Sequence, residues 1–327
     1  MNIFDIFDSF KNKSALIVGD SMIDAYMWGE IKRISPEAPV PIVNINKYEN
    51  RLGGAANVAL NIKSIGAKPI LCSVIGNNKN SIVFKTLMKE ANLSTEGIIY
   101  SDLRKTTIKT RVIANNKHQL RIDEEKIDQI EKVLEKKVID FVLNFKKEID
   151  VIIFQDYNKG ILTPNVIKQI LKYANNNSIP TIVDPKEENF LSYENCTMFK
   201  PNLKEMEYGM NSKLKFSNLV KIQETSEKLR NKLSAKSILL TLSKNGLFLS
   251  SENQSKHVPA FKRKIIDVSG AGDTVLSVAA LCLASKIDLI KLSFLSCLAG
   301  GIVCEEVGVK PIDKTKLLNE ALKHIKY

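Results

Sequence analysis

The sequence contains few of the residues that build metal clusters and disulfide frameworks. Of its 327 residues only five are cysteine and three are histidine, and no C-x-x-C pair occurs. The cysteines are odd in number and lie mostly inside apolar segments, which predicts reduced core residues. The histidines His118, His257 and His324 are isolated, which predicts surface or hydrogen-bonded side chains. The sequence therefore favours neither a disulfide scaffold nor a zinc cluster.

Long apolar runs are also missing. The longest, at residues 278–284 and 302–304, are well short of the roughly 20 residues that cross a bilayer. Residue 5 is an aspartate, whereas a signal peptide would begin with Lys or Arg. These features predict a cytoplasmic protein with no membrane partner.

Two nucleotide-binding signatures are absent from the sequence. Neither G-x-G-x-x-G nor G-x-x-x-x-G-K-[ST] occurs, which disfavours a Rossmann dehydrogenase and a P-loop enzyme. The net charge is +12, but the longest basic run is only residues 262–264, and 7% of the residues are aromatic. Nucleic-acid binding needs a clustered basic stripe with interleaved aromatic residues, so we expect no nucleic-acid partner. Diffuse positive charge is better suited to small anionic substrates.

The order of apolar and amphipathic segments predicts an α/β fold. Short apolar runs alternate with helix-like segments, a pattern typical of a mostly parallel central sheet flanked by helices. A proline-containing segment at residues 39–45 predicts an edge strand, and two alternating stretches around an Asn115-Asn116 turn predict a half-exposed hairpin. We expect one domain over residues 1–327, with a small lid sheet whose strands lie at about 38–46 and 105–123.

The strongest local signal is the segment DVSGAGDT at residues 267–274, at the predicted start of a helix. The small residues Gly270, Ala271 and Gly272 leave backbone N–H groups accessible at a helix N-terminus, where the helix dipole favours a phosphate. Asp273 would lie in the first turn, where a carboxylate can accept a proton from a hydroxyl that attacks a phosphoryl group. Taken alone, the segment also fits a tightly packed helix start with an acidic first turn.

A second glycine cluster, GGAANVA at residues 53–59, also opens a predicted helix. Gly53 and Gly54 permit a close approach of the backbone to a ligand, and the amide of Asn57 can hydrogen-bond sugar hydroxyls. Taken alone, this segment fits a helix packed closely on a neighbour equally well.

Together the two clusters resemble the PfkB (ribokinase-like) carbohydrate kinases, and the resemblance covers nearly the whole chain. In that family a G-G-x-x-N segment holds the sugar, and a G-A-G-D segment supplies the anion hole and the catalytic aspartate. An N-x-x-E element organises Mg²⁺ and ATP phosphate, and NLKE at residues 202–205 matches it. The resemblance thus assigns Gly53, Gly54 and Asn57 to the sugar, Gly270, Ala271 and Gly272 to the anion hole, and Asp273 to catalysis.

Longer segments resemble the heptose 7-phosphate kinases of ADP-heptose synthesis (the HldA or HldE kinase domain). They are GDSMID at residues 19–24, RISPEAPVPIV at 33–43, DYNKG at 156–160 and DPK at 184–186, and the SPEAPVP run is much more selective than the kinase motifs. We expect Asp24 at the end of the first strand. The implied substrate-binding residues are Asp24, Arg111, Asp156 and Lys159, with Lys109 and Arg121 also near the substrate phosphate. The implied ATP-binding residues are Lys186, Asn202, Leu203, Lys204, Glu205, Thr241 and Gly246, with Mg²⁺ near Asn202 and Glu205.

The sequence departs from these kinases at three places. Gln155 replaces a serine before the D-Y motif, no arginine follows Thr241, and EEVGV at residues 305–309 lacks the usual K-x-G-T-like ending. These places border the region expected for ATP and for a monovalent cation. The resemblance therefore leaves potassium activation open.

The resemblance implies ATP-dependent phosphorylation of D-glycero-D-manno-heptose 7-phosphate at its anomeric hydroxyl. The product, the 1,7-bisphosphate, is a precursor of ADP-heptose and of the lipopolysaccharide core. Two alternatives stay open: another sugar kinase of the family, acting on ribose, fructose or a hexose phosphate, and a non-catalytic sugar-phosphate sensor. Related lids pair across a two-fold axis, so we expect a homodimer through the lid. The chain ends at Tyr327, soon after the last predicted helix, so we expect no nucleotidyltransferase domain.

Overall fold

A computed structural model describes residues 1–115 and 117–324. Within these residues the chain forms thirteen strands, which are β1 Ser14–Gly19, β2 Ser21–Ile34, β3 Pro41–Gly54, β4 Lys68–Gly76, β5 Ile98–Ser101, β6 Ile108–Ala114, β7 Lys117–Glu124, β8 Val151–Gln155, β9 Thr181–Asp184, β10 Met198–Phe199, β11 Ser237–Thr241, β12 Leu247–Ser251 and β13 Ser255–Val258. The same residues form ten α-helices, which are α1 Ile3–Phe10, α2 Ala55–Ile65, α3 Lys79–Glu90, α4 Lys132–Leu143, α5 Pro164–Asn176, α6 Leu203–Gly209, α7 Leu219–Lys232, α8 Ala271–Ala284, α9 Leu289–Val303 and α10 Lys314–His324.

Nine strands form the central sheet, in the order β13-β12-β11-β10-β9-β8-β1-β4-β5. Neighbours from β11 to β5 pair in parallel, and β12 and β13 add an antiparallel edge. The parallel strands are apolar on both faces, which is what a sheet covered by helices on both sides requires. In β1, for example, Ile17 belongs to one apolar core with α1, α2, α3, α8, α9 and α10, whereas Leu16 and Val18 belong to a second core with α4 to α7.

Most helices begin with an ordinary side-chain cap, but α2, α4 and α8 do not. Thr163 caps α5 and Asn202 caps α6 through hydrogen bonds to backbone N–H groups. By contrast, α2 and α8 begin at Gly54 and Gly270, which have φ angles of 59° and 79° and provide no side-chain cap. The N-termini of these two helices therefore keep backbone donors that no side chain caps.

The remaining four strands form the lid, a small sheet in the order β3-β2-β6-β7. β2 pairs with β6 in parallel, and the other two pairs are antiparallel. Because side chains alternate along a strand, the register separates the lid into two faces. One face, here called the charged face, carries Asp24, Tyr26, Arg51, Lys109 and Arg111, and the opposite face, here called the apolar face, carries Ala25, Met27, Tyr48, Val112, Leu120 and Ile122.

The lid is tied to the central sheet where the chain enters and leaves it. The guanidinium of Arg104, just before β6, donates to the carbonyl oxygens of Asp128 at 2.7 Å and Lys126 at 2.9 Å, and also to that of Lys159. Arg104 is buried, so its charge is compensated by these carbonyl groups. The side chain therefore fixes both connecting segments against the loop that follows β8.

The structure confirms the predicted fold class, a mostly parallel sheet flanked by helices with a small lid, and corrects several elements within it. The long strand β2 was not predicted, so the expectation for Asp24 was wrong: it lies in the lid and not at the end of the first strand. The inner half of β2 is buried on both faces, and this removes the two-residue alternation that marks a strand. The strands β5, β12 and β13 were also missed, and α2 begins at Ala55 because Gly53 and Gly54 still belong to β3. Asn116 of the predicted turn and residues 325–327 of the predicted domain lie outside the described residues.

No helix among the described residues combines the length and hydropathy needed to cross a membrane.

Candidate active site

The two glycine clusters meet at the carboxyl edge of the central sheet although more than 200 residues separate them. Asn57 in α2 donates a hydrogen bond from Nδ2 to Oδ2 of Asp273 in α8, at 2.7 Å. One turn further on, the hydroxyl of Thr274 donates to Oδ1 of Asn61 at 3.1 Å. The helices α2 and α8 thus begin side by side, and their N-termini form one site.

Asp273 is the central acid of this site. Its side chain lies in the first turn of α8, and the residue is only 4% exposed. Besides Asn57, the hydroxyl of Tyr157 donates to Oδ1 at 2.8 Å, and Nε2 of Gln155 donates to the same oxygen at 3.3 Å. Burial raises the pKa of Asp273 to about 7, against the opposing effect of the donors Asn57 and Tyr157. A carboxyl group with a pKa near neutrality is suited to accept a proton during a reaction.

The predicted anion hole lies directly before Asp273. A Cβ atom at Gly270 would lie 3.2 Å from Nδ2 of Asn57, so the site is crowded there. A Cβ atom at Gly272 would be uncrowded, since its nearest neighbour would be Nζ of Lys200 at 3.9 Å, an ordinary contact distance. The backbone N–H of Ala271 already donates to the carbonyl oxygen of Val268, at 3.3 Å. The opening beside Gly272 is thus where an anion can approach the helix N-terminus and the Lys200 ammonium together.

The sugar-side glycines are required by packing. A Cβ atom at Gly53 would lie 2.2 Å from Oδ2 of Asp24, and one at Gly54 would lie 2.4 Å from the carbonyl oxygen of Asp20. Asp24 is buried, and its Oδ1 accepts a hydrogen bond from the guanidinium of Arg111. The two glycines thus let the β2 strand of the lid lie directly against the start of α2, with Asp24 at the junction.

The side chain of Asp20, just after β1, anchors the loop that follows β8. Oδ2 of Asp20 accepts hydrogen bonds from the backbone N–H groups of Tyr157 at 2.8 Å and Lys159 at 3.0 Å. Burial, and then the neighbouring Asp156, raise the pKa of Asp20 above its ordinary value. Both oxygens of Asp156 accept hydrogen bonds inside the protein, Oδ1 from the backbone N–H of Asn158 and Oδ2 from the hydroxyl of Tyr193. In this structure Asp156 therefore shapes the loop.

The predicted phosphate-side cations are all paired with carboxylates. Nζ of Lys159 lies 2.9 Å from Oε1 of Glu125, and Nζ of Lys109 lies 2.9 Å from Oε2 of the same residue. Glu125 thus bridges the lid to the loop after β8. The full group consists of four cations and three acids, which are Lys109, Arg111, Arg121, Lys159, Asp24, Asp123 and Glu125. Its surplus of one positive charge favours an anion at this face of the lid.

On the predicted ATP side, Lys186 forms an ion pair with Glu205 and lies 5.7 Å from the ring centroid of Tyr157. Burial alone would lower the pKa of Lys186, but Asp184 and Glu205 raise it above its ordinary value. Glu205 and Asn202 form a capping box at the start of α6, with their backbone-to-side-chain hydrogen bonds at 2.9 Å and 2.8 Å. Burial raises the pKa of Glu205.

The other predicted ATP-binding residues are distributed around this capping box. Thr241 ends β11 and forms a bridge with Asn202, Leu203 packs against the second core, and Lys204 is exposed. Gly246 has a φ of 89°, and a Cβ atom there would lie 2.0 Å from the carbonyl oxygen of Val258. A tight turn into β12 therefore accounts for Gly246, whether or not a nucleotide binds nearby.

Sequence reasoning missed an ion pair behind Asp273. Nζ of the buried Lys200 lies 3.0 Å from Oδ1 of Asp184, and Nε2 of Gln155 lies 3.4 Å from Oδ2 of the same aspartate. Asp184 raises the pKa of Asp273, and Lys200 lowers it. Both residues follow or end parallel strands, which is the one sequence signal that could have identified them.

Comparison with known proteins identifies the family. The family profile described as pfkB family carbohydrate kinase matches residues 12–316. The chain belongs to this family. It is accordingly a sugar kinase, a phosphotransferase with an alcohol group as acceptor.

Among curated relatives, this pfkB kinase is similar to two proteins named bifunctional protein HldE. The one from Pelobacter propionicus is 34% identical over 325 residues, which are 99% of this chain and 66% of the relative. The one from Geotalea uraniireducens is 34% identical over 319 residues, which are 97% of this chain and 65% of the relative. The chain thus spans just under two thirds of the length of these relatives.

Solved structures confirm the ribokinase-like fold. Phosphofructokinase-2 from Escherichia coli in complex with potassium has a TM-score of 0.78 at 18% identity, over 94% of this chain and 98% of that one. A ribokinase from Thermotoga maritima has a TM-score of 0.71 at 20% identity, over 95% of this chain and 100% of that one.

Proposed function

We propose that this kinase transfers the γ-phosphoryl group of ATP to the anomeric hydroxyl of D-glycero-D-manno-heptose 7-phosphate. The product would be the 1,7-bisphosphate used in ADP-heptose synthesis, made in the cytoplasm. The observation that carries the proposal is the buried Asp273 beside the open N-terminus of α8. The choice of heptose is supported by the similarity to the HldE proteins over at least 97% of the chain and by the segments shared with heptose kinases.

In the proposed reaction Asp273 is the general base. The O–H bond of the sugar hydroxyl breaks, its proton moves to the carboxylate, and its oxygen forms a bond to the γ-phosphorus of ATP. The bond between the γ-phosphorus and the bridging oxygen breaks, and ADP leaves with that electron pair. The N–H groups at the start of α8 and the ammonium of Lys200 stabilise the charge on the transferring group. Lid closure over the cleft excludes water, which would otherwise compete with the sugar.

The ATP side fits magnesium. A magnesium ion bound mainly by nucleotide phosphates needs only one or two protein carboxylates. Glu205 and Asp184 lie at this edge beside Lys186 and Lys200, which can hold the phosphates. Across residues 1–115 and 117–324 no group of three or more His, Cys, Asp or Glu side chains forms a metal site, so most ligands would come from ATP and water. When bound, Mg²⁺ neutralises the β- and γ-phosphate oxygens.

The charged face of the lid is proposed to hold the 7-phosphate. Arg111, Lys109 and Lys159 surround the junction at Asp24, and a phosphate would replace the carboxylates that now pair with them. The SPEAPVP run is not part of this contact. It forms the turn between β2 and β3, ten residues along β2 from Asp24, so it supports the heptose assignment only as a shared sequence feature.

A coupled ADP-release assay over a panel of sugar phosphates tests the proposal. We expect heptose 7-phosphate to give the highest kcat/KM among it, ribose, fructose 6-phosphate and fructose 1-phosphate, each assayed with and without potassium. Asp273→Asn should lower kcat by at least about a thousandfold and leave heptose 7-phosphate binding within a few fold, because the general base alone is lost.

Asp8→Asn, at an exposed carboxylate paired with Lys11, is the matched control and should keep wild-type turnover. A preference for ribose or a fructose phosphate would replace heptose by one of the alternative substrates. Binding without turnover of any sugar would favour the sensor, and near-wild-type kcat in Asp273→Asn would refute the base.

We further propose a homodimer through the apolar face of the lid. Leu120 is 58% exposed, Ile122 is 45% exposed and Tyr48 is 70% exposed, all on this face. An exposed apolar face on a four-stranded sheet is typical of a surface that a partner covers.

A further inference from the structure

Tyr157 is the side chain that contacts both halves of the site. Its hydroxyl donates to Oδ1 of Asp273 at 2.8 Å, while its ring lies 5.7 Å from Nζ of Lys186. Asp273 is the proposed base, and Lys186 is the proposed phosphate-binding cation. The two contacts come from different parts of one side chain, so they can be removed separately.

The position of Tyr157 is fixed from several directions. Its backbone N–H donates to Oδ2 of Asp20 at 2.8 Å, which anchors the residue to the end of β1. A Cβ atom at Gly160 would lie 2.0 Å from the carbonyl oxygen of Asp128, so the loop is packed directly on the segment that leaves the lid. Arg104 donates to the carbonyl oxygen of Lys159 from the segment that enters the lid. The loop is therefore held by the central sheet and by both connections of the lid.

The Tyr157 hydroxyl is one of three hydrogen-bond donors to the buried carboxylate of Asp273. Asn57 occupies Oδ2 at 2.7 Å, and Gln155 reaches Oδ1 only at 3.3 Å, so Tyr157 supplies the shorter hydrogen bond to Oδ1. Hydrogen bonds to a buried carboxylate favour its ionised form. The other charged groups that face the pair are Asp184 at the end of β9, Lys186 just after β9, Lys200 just after β10 and Asp24 in β2.

From this geometry we propose that Tyr157 is a positioning residue with two separable effects. Its hydroxyl keeps Asp273 ionised and directed toward the sugar hydroxyl, and its ring keeps Lys186 directed toward the ATP phosphates. The proposal rests on the assignment of Asp273 as the base. It gives a role to the tyrosine of the DYNKG segment, to which the sequence analysis assigned none.

Tyr157→Phe removes the hydroxyl and keeps the ring. The acid limb of the kcat/KM profile should move up by about one pH unit, so that turnover at pH 6 falls about tenfold while turnover at pH 9 stays within about twofold of the wild type. The KM for ATP should stay within about twofold. The measurement is ADP release from pH 5.5 to 9 with the best substrate of the panel, together with the thermal midpoint of each variant.

Tyr157→Leu also removes the ring and should show the same shift in the acid limb plus a rise of at least about fivefold in the KM for ATP. Tyr193→Phe is the matched control, because the Tyr193 hydroxyl also donates to a buried aspartate, Oδ2 of Asp156, at 2.7 Å. It should lower the thermal midpoint and leave the acid limb in place.

Superimposable pH profiles for Tyr157→Phe and the wild type would overturn the role of the hydroxyl, and an equal shift in Tyr193→Phe would overturn its specificity. An unchanged KM for ATP in Tyr157→Leu would overturn the role of the ring. Failure of the base assignment is seen separately, as retained turnover in Asp273→Asn.

Discussion

At the residue scale, the site concentrates carboxylates that are buried at a cost to stability. Burial raises the pKa of Asp273 to about 7 and raises the pKa values of Asp20, Asp156 and Glu205 above their ordinary range. Each of these groups is harder to ionise in the folded protein than in the unfolded chain. Folding alone would not favour the charged forms of these groups, which is expected of carboxylates that serve the proposed reaction.

This difference predicts how stability depends on pH. The folded state holds a proton on Asp273 up to pH about 7, whereas the unfolded chain releases it near pH 4, so the stabilising effect is present at low pH and is lost as pH rises through 7. Asp273 should lower the free energy of unfolding by about 1.4 kcal/mol between pH 6 and pH 8. Asp273→Asn should lack this decrease. Urea unfolding at the two pH values measures it, with Asp8→Asn as a control that keeps the wild-type difference; equal pH dependence in Asp273→Asn and the wild type would contradict the prediction.

Many residues of the candidate site could be predicted from the sequence, but the hydrogen bonds and ion pairs between them could not. Asp273 and Asn57 were predicted as site residues because the G-G-x-x-N and G-A-G-D segments occur together, as they do in the pfkB kinases. Tyr157 was noted only as part of the DYNKG segment, without a role of its own, and Lys200 was missed, since a tyrosine or a lysine after a strand has no local pattern that separates a site residue from a surface one. Their partners come from other parts of the chain, and only the fold brings them together.

At the element scale, the start of α8 is the feature on which the proposed anion hole depends. The helix begins at Gly270 without a side-chain cap, and a Cβ atom at Gly272 in its first turn would have only an ordinary contact, with Nζ of Lys200 at 3.9 Å. Close packing therefore does not account for this glycine, whereas the proposed anion hole does.

Gly272→Ala separates these two roles. Alanine should leave stability unchanged or raise it by up to about 1 kcal/mol, because alanine favours a helix over glycine. The methyl group would occupy the approach to the helix N-terminus, so kcat/KM for ATP should fall at least about tenfold. Thermal unfolding and ADP-release kinetics check the two effects.

Gly66→Ala provides the contrast, because Gly66 ends α2 with a φ of 107° and lies at the opposite end of that helix. It should lose stability and keep its turnover per folded molecule. Wild-type kinetics in Gly272→Ala would exclude an anion hole at this position.

At the scale of the whole molecule, the two faces of the lid differ. The charged face contacts the central domain, and the apolar face is exposed. The charged face meets the central domain through Tyr26, whose hydroxyl accepts a hydrogen bond from the backbone N–H of Val309 at 3.1 Å, and through Arg51, which donates to the carbonyl oxygens of Val307 and Val309. The apolar face carries the exposed Leu120 and Tyr48. A thin sheet with an uncovered apolar face is expected to bury it against a second copy.

The proposed dimer predicts the mass of the protein in solution. Light scattering after size-exclusion chromatography should give twice the 36.6 kDa of one chain. Leu120→Glu should give a monomer, because a carboxylate cannot be buried unpaired between two lids. Val133→Glu, at an exposed apolar residue on α4 outside the lid, should stay dimeric. A monomeric wild type, or a Leu120→Glu variant that stays dimeric, would refute an interface at this face.

The sequence by itself determined the family and the chemistry of this kinase. Short apolar strands alternating with helices dictate a parallel sheet, and glycines at two helix starts expose backbone donors, because both effects are local and need only neighbouring residues. The tertiary structure decided which residues work together. It placed Asp24 in the lid, joined Tyr157 to Asp273 and paired Lys200 with Asp184 near the proposed anion hole. These contacts depend on strand order and helix packing, in which residues distant in sequence become neighbours, and no local pattern encodes that.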